Sequence, residues 1–378
     1  VGPGEMLVVD TQLGNIWRSR EIDEALKSRH PYSDWLVENI IRISSNDELE
    51  ETAAQVYMQG PIQDLPRFEK LFAISNEERE HVIRVMAEDA VEATGSMGDD
   101  TPIAVMSRHP RPVYDYFRQQ FAQVTNPPID SLREKSAMSL ETLIGREHNI
   151  FHETSTQARR VVLPWPVLNI IKYRKLLDLN PKWYANRSFS LNYPESVGLK
   201  TALERLCAEV SSAVKDGVVI VVLTDRDIDR NKLPIPAALA TGAAHQRLIR
   251  DGLRCDANII VETGSARDAH QFAVLFGLGA TAVYPYLAFQ VINDLHARGA
   301  IKGDLLHFRK QYRRGVRKGW LTIHSKLVIS CITCYRGALL IETVGRGSEI
   351  TDLCCPGAAG YIGGVGFDEI VADQRALA

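Results

Sequence analysis

Val218-Val-Ile-Val-Val-Leu223 is a run of six apolar residues, five of them β-branched, and it gives way at once to Thr224-Asp225-Arg226-Asp227. Such a run predicts a buried strand. A helical pattern follows from about Pro236 to Asp251, then a second strand, Asn258-Ile-Ile-Val261, a helix from Arg267 to Leu278, and a short third strand, Thr281-Ala-Val283. Strands alternating with helices in this way build βαβ units, and so a parallel sheet or part of a barrel. Polar chemistry in such a body gathers at the strand carboxyl ends, here Thr224 to Asp227 and Glu262 to Gly264.

Outward from this region the chain is less regular. At the start, Glu5-Met-Leu-Val-Val-Asp10, the turn signal Gly14-Asn15 and Ile16-Trp17 read as a hairpin. Residues 20–95 read as a helical connector, with a charged run at 47–51 and a capping-box pattern at Ser75-Asn-Glu-Glu78. Gly, Ser, Asp and Pro between 94 and 102 predict a loop. Tyr114-Asp-Tyr-Phe-Arg-Gln-Gln-Phe121 predicts an aromatic helix, and Pro127-Pro128 a rigid loop after it, holding Thr125 and Asn126 extended.

Composition bounds the function. The chain has 378 residues, 45% hydrophobic and 24% charged, so it can build a substantial core. Its 44 basic and 47 acidic residues leave a net charge of −3, which argues against a generic nucleic-acid binder. No apolar run reaches the length of a membrane helix, the beginning is unlike a signal peptide, and six cysteines are too few for a disulfide scaffold. A cytoplasmic protein, with neither nucleic-acid nor membrane partner, is expected. The absence of a starting methionine and the ending ADQRALA suggest a segment of something longer.

The chain lacks the P-loop, the zincin motif, the nucleophile elbow and the dinucleotide fingerprint. Cys331 and Cys334, with the adjacent pair Cys354-Cys355, invite a metal reading, but neighbouring side chains diverge and cysteine is often buried, so core positions are expected. His245 and His270 read as packed helix histidines. Arg309, Arg313 and Arg317 form one i, i+4 stripe and Lys310, Arg314 and Lys318 another, a basic face taken as solvated. Gly363-Gly364-Val-Gly366 reads as turn punctuation.

Whole strings carry more than these spacings. Gly95-Ser-Met-Gly-Asp-Asp-Thr-Pro-Ile-Ala-Val105, residues 114–130, Met138-Ser-Leu-Glu-Thr142, Gly252-Leu-Arg254, Val261-Glu262, His270-Gln-Phe-Ala-Val-Leu275 and Pro285-Tyr-Leu-Ala-Phe289 closely resemble the central domain of the glutamate synthase large subunit. Two strings depart from the family. Ser325-Lys-Leu-Val-Ile-Ser-Cys331 has Val328 for a glycine and Cys331 for a threonine, and the stretch ending Gly360-Tyr361-Ile-Gly-Gly364 is also changed, which puts contacts on the flavin side in question.

The resemblance implies that residues 1–26 are the tail of a glutaminase (amidotransferase) domain, 27–300 the central domain, and 301–378 its end leading into an FMN-binding synthase domain. In this family an N-terminal cysteine hydrolyses glutamine, ammonia crosses an internal tunnel, and FMN, fed by a 3Fe-4S cluster, reduces the imine formed with 2-oxoglutarate. The flanking domains would be the partners, with a reductase small subunit or ferredoxin as electron donor. Val1 is not the nucleophilic cysteine and the cluster's cysteine triplet is absent, so no catalytic, cofactor-binding or metal-binding residue is expected in this segment. The tunnel would pass the loops at Ser96, Met97, Gly98 and Asp99 and at Thr125, Asn126 and Pro127, since ammonia needs rigid, mostly uncharged walls. Two rivals remain: a pure interdomain docking module, or a free-standing enzyme using Asp225, Arg226, Asp227 and Glu262. The expected fold is α/β, with parallel βαβ units in an incomplete barrel-like body and an N-terminal helical connector.

Overall fold

The computed structural model describes residues 1–43, 62–94, 101–126, 129–130, 132–228 and 231–378. The apolar run at 218–223 becomes strand Ile220–Thr224, inside a four-stranded parallel sheet ordered Ala282–Tyr284, Asn258–Glu262, Ile220–Thr224, Asn186–Ser190. Residues 220–223 and all of 258–262 are buried, as strands covered on both faces must be. The sheet is open, so the body is barrel-like only in part. Its fourth strand, Asn186-Arg-Ser-Phe-Ser190, escapes sequence reading because it lies at the edge and buries only Phe189.

Helices Leu199–Lys215, Ala237–Arg250 and Ala269–Gly277 lie in the crossovers between these strands. Gly242 lets the second approach another element closely: a Cβ there would lie 2.2 Å from the Cys354 carbonyl oxygen. The long helix Leu305–Lys326 packs through Gly315 and Gly319 against Met86 and Ala269, where added Cβ atoms would come within 3.1 and 2.8 Å of side-chain carbons. Trp320, fully buried, joins Trp165, Phe276 and Tyr335 at ring-centroid distances of 6.4, 4.2 and 5.9 Å.

The starting hairpin forms as expected, Leu7–Asp10 against Asn15–Arg18. The connector is helical at Ser19–Ser28, Tyr32–Asn39, Leu65–Leu71 and through residues 76–89, but Ile41–Arg42 is a strand, parallel to Val161–Leu163. The capping box is present: Glu78 N–H donates to Ser75 Oγ at 3.2 Å, and Ser75 N–H to Glu78 Oε2 at 3.1 Å. The charged run at 47–51 lies outside the described residues.

The aromatic helix expected at 114–121 is corrected. Val113–Tyr116 is a 3-10 turn, and Phe117–Gln119 is a strand antiparallel to Ile341–Arg346, which in turn pairs in parallel with Ala359–Val365. Aromatic residues pack well on a pleated surface, and Phe117 reaches the core through this pairing. The basic face is corrected too. Arg309 donates to Asn293 Oδ1 at 2.6 and 3.0 Å and Arg313 and Arg317 are half-buried, while Arg314 and Lys318 are exposed. Arginine stems cover apolar surface when their helix is docked.

Candidate functional site

The parallel register puts Ser190, Thr224, Glu262 and Tyr284 side by side at the carboxyl ends of the four strands. Glu262 is fully engaged there. Its Oε1 accepts from Arg226 Nε at 3.0 Å, and its Oε2 accepts from the Thr224 hydroxyl at 2.8 Å and the Tyr173 hydroxyl at 3.1 Å. The Arg226 guanidinium also lies over the Tyr286 ring, 4.5 Å from its centroid.

Asp225, one residue past the strand, is 1% exposed. Its carboxylate accepts from the Thr263 hydroxyl at 2.5 Å and the Gly264 N–H at 2.9 Å. Burial pushes this carboxyl up to about 7, although hydrogen bonds from Thr263, Gly264 and Tyr286 pull it down. From Thr263 a hydroxyl chain continues to Ser265 at 2.8 Å and on to Tyr114 at 2.8 Å. The Tyr286 hydroxyl lies over Gly264, where an added Cβ would meet it at 3.0 Å, and interacts with the Asp225 carboxyl. Asp225, Ser265 and Tyr114 line a cavity of about 80 Å³ whose other walls include Phe72, Ile235 and Arg346.

Of the four strand-end residues named from sequence, the structure brings Asp225, Arg226 and Glu262 together and leaves Asp227 exposed. Glu262 is neutralised and hydrogen-bonded on both oxygens. Tyr114, Tyr173, Thr263 and Ser265 complete the cluster; Thr263 lies in a strand end named from sequence and Ser265 just past it, whereas Tyr114 and Tyr173 were missed because other elements bring them in from 151 and 89 residues away.

Of the loop residues named from sequence, Ser96, Met97, Gly98, Asp99 and Pro127 lie outside the described residues. Thr125 and Asn126 are exposed, in a bend. The chain is tied down on both sides of them: Ala122 N–H donates to the Lys326 carbonyl at 3.1 Å, and the Ser325 hydroxyl to the Ile129 carbonyl at 2.9 Å. Both ties end on the long helix.

His245 is buried, as expected, and its Nδ1 accepts from Arg254 Nε at 2.8 Å. His270 Nε2 lies 3.1 Å from the Tyr114 carbonyl oxygen. Cys354 and Cys355 are core residues, but Cys334 is exposed and Cys331 half-buried, their sulfurs 3.0 Å apart, which corrects the core reading for that pair. Among the described residues no cluster of histidine, cysteine and acidic side chains is arranged to hold a metal ion. None of the described helices is long and apolar enough to cross a membrane.

Residues 67–346 match the family described as the glutamate synthase central domain. The chain belongs to that family. The first 35 residues of this central-domain chain match the class-II glutamine amidotransferases. It is 39% identical to the NADPH glutamate synthase large chain of Azospirillum brasilense, over 100% of this chain and 25% of that one. It is 34% identical to the NADH glutamate synthase of Schizosaccharomyces pombe, over 99% and 18%, and 36% identical to the chloroplastic ferredoxin-dependent glutamate synthase of Oryza sativa subsp. japonica, over 98% and 23%. The central-domain chain thus spans about a quarter or less of these relatives. The flavin-binding domain of baker's yeast flavocytochrome b2 is 18% identical over 36% of this chain and 32% of that one, with a TM-score of 0.29, a likeness that carries no argument.

The FMN that the family implies does not fit the strand-end cavity of this central domain. That cavity, about 80 Å³, holds roughly five to eight water-sized groups, far fewer than the atoms of a flavin nucleotide. Gly363 and Gly364 lie within a strand, and the first amides of the helix after them are taken by acids: Gly366 N–H donates to Glu369 and Phe367 N–H to Glu349. The two carboxylates at this helix start disfavour a phosphate there.

Proposed function

We propose that this chain is the connecting segment of a glutamate synthase, joining glutamine hydrolysis to FMN-dependent synthesis of glutamate from 2-oxoglutarate, and that it carries no catalysis of its own. On this reading residues 1–26 end the glutaminase domain, 27–300 form the connecting body, and 301–378 lead into the synthase domain, which holds FMN and the 3Fe-4S cluster. The flanking domains are its partners. NADPH, NADH and ferredoxin each appear among the names of the relatives, so they leave the electron donor open. The proposed compartment is the cytoplasm.

The observation that carries this reading is the engagement of Glu262. Acid/base work needs a carboxylate free to exchange a proton with substrate. Glu262 is held by Arg226, Thr224 and Tyr173, which favours a structural role over a free-standing enzyme. The isolated chain, supplied with saturating glutamine, 2-oxoglutarate and a reductant, is expected to show no turnover; glutamate formation by it would refute this reading.

Within that function the loops at Ser96, Met97, Gly98 and Asp99 and at Thr125, Asn126 and Pro127 form part of the ammonia path. The anchoring of Ala122 and Ile129 to the long helix supports this for the second loop, since a conduit needs walls that do not swing open.

A further inference from the structure

Arg346 ends strand Ile341–Arg346 and is 3% exposed. One face of its guanidinium stacks on the Tyr116 ring, 3.6 Å from the centroid. Its Nη2 reaches only the Val113 carbonyl, at 3.5 Å, and its Nε and Nη1 are buried with no acceptor among the described residues. An arginine left in this state costs several kcal/mol, because water is removed from the charge and little replaces it. Burial accordingly presses it down to about 10. Asp373, which also lines the cavity, faces this guanidinium closely enough for their charges to attract but forms no ion pair with it, and accepts the Arg111 backbone N–H instead.

The same guanidinium lines the cavity at the strand carboxyl ends. Phe72, Ile235, Ile370 and Leu377 give the cavity apolar walls, and Ser265 and Tyr114 give it hydroxyls. We propose that this cavity is a binding site for a short-chain organic carboxylate, whose oxygens accept the unpaired N–H groups of Arg346 while its carbon chain lies against the apolar walls. Guanidinium and carboxylate match in planarity and charge, and a charge-assisted hydrogen bond in a buried site is among the stronger ones available. A volume of about 80 Å³ accommodates roughly five to eight water-sized groups, which suits an acid of three or four carbons. The site shares no lining residue with the 122–126 stretch, and the assignment is independent of the connecting role proposed above.

Calorimetric titration of the full chain with butanoate tests the assignment, with inorganic phosphate and 1-butanol titrated alongside. Saturable binding of butanoate is expected, at least about tenfold tighter than either control, and weakened by at least about tenfold in Arg346→Gln. Leu377 is half-buried at the cavity wall, so Leu377→Trp fills the space from its rim; it should abolish binding while leaving the thermal unfolding transition in place. Failure of butanoate to bind, equal binding of phosphate or 1-butanol, or undiminished binding in either folded variant would overturn the assignment. If Arg346→Gln does not fold, the Leu377→Trp titration decides alone.

Discussion

The Thr263 hydroxyl lies 2.5 Å from Oδ2 of Asp225 and donates to it across the sheet, from the end of one parallel strand to the end of its neighbour. That bond and the Gly264 N–H hold a carboxyl group that is 1% exposed. These hydrogen bonds, with that of Tyr286, do not offset the loss of water, and the group rises from 3.8 to about 7.

The consequence for stability has a definite sign. Between pH ~4 and 7 folded Asp225 is protonated and unfolded Asp225 is not, so raising the pH across this window weakens the fold, by up to about 1.4 kcal/mol per unit from this group. Above pH 7 its contribution is constant. Urea unfolding from pH 5 to 8 should therefore show the stability of the native chain falling relative to Asp225→Asn up to pH 7 and then running parallel to it. A constant difference across the whole range would refute the assignment.

His324 works in the opposite direction. It is fully buried, neither ring nitrogen has a partner among the described residues, and its ring packs against Trp320 and Tyr335 at 5.6 and 5.5 Å. Burial lowers it from 6.5 to about 4, so stability is lost as pH falls below about 6.5, where the unfolded imidazole takes up a proton and the folded one resists it. Replacing an unpaired buried polar ring by an apolar one removes both penalties. His324→Phe should gain about 1 kcal/mol at pH 8 and more at pH 5, measured as the shift of the urea midpoint; a smaller gain at pH 5 than at pH 8 would contradict this.

Val328 stands where the family string has glycine, and its φ is 60°. That is the left-handed region, which a β-branched side chain enters at a cost of about 1–2 kcal/mol. The side chain is 56% exposed, so little packing offsets the cost. Val328→Gly should stabilise the chain by about 1 kcal/mol, after the extra entropy of unfolded glycine is counted. A destabilised variant in thermal unfolding would show that the turn does not require glycine geometry.

Legibility from sequence followed how local the determining interaction was. The strands at 220–224, 258–262 and 282–284 and the helices between them were readable because each is a run of apolar residues in a sheet buried on both faces. The Ser75–Glu78 capping box was readable because its two bonds span three residues. Phe117–Gln119 was not, since its state is set by pairing with Ile341–Arg346, more than 200 residues away. At the candidate site Asp225 and Glu262 were legible from their places after strands. Tyr114, Tyr173 and Arg346 were not, because only the packing of distant segments gives them a function there.

The central claim, that this chain couples two active sites, is tested most directly at Thr125, exposed and held between the anchors at Ala122 and Ile129. In the longer polypeptide proposed to carry this chain, the moles of glutamine hydrolysed per mole of 2-oxoglutarate converted should be measured for the native protein and for Thr125→Trp. A ratio near one is expected in the native protein and a clearly higher one in the variant, with free ammonia making up the difference. An unchanged ratio, with both half-reactions intact, would contradict the account.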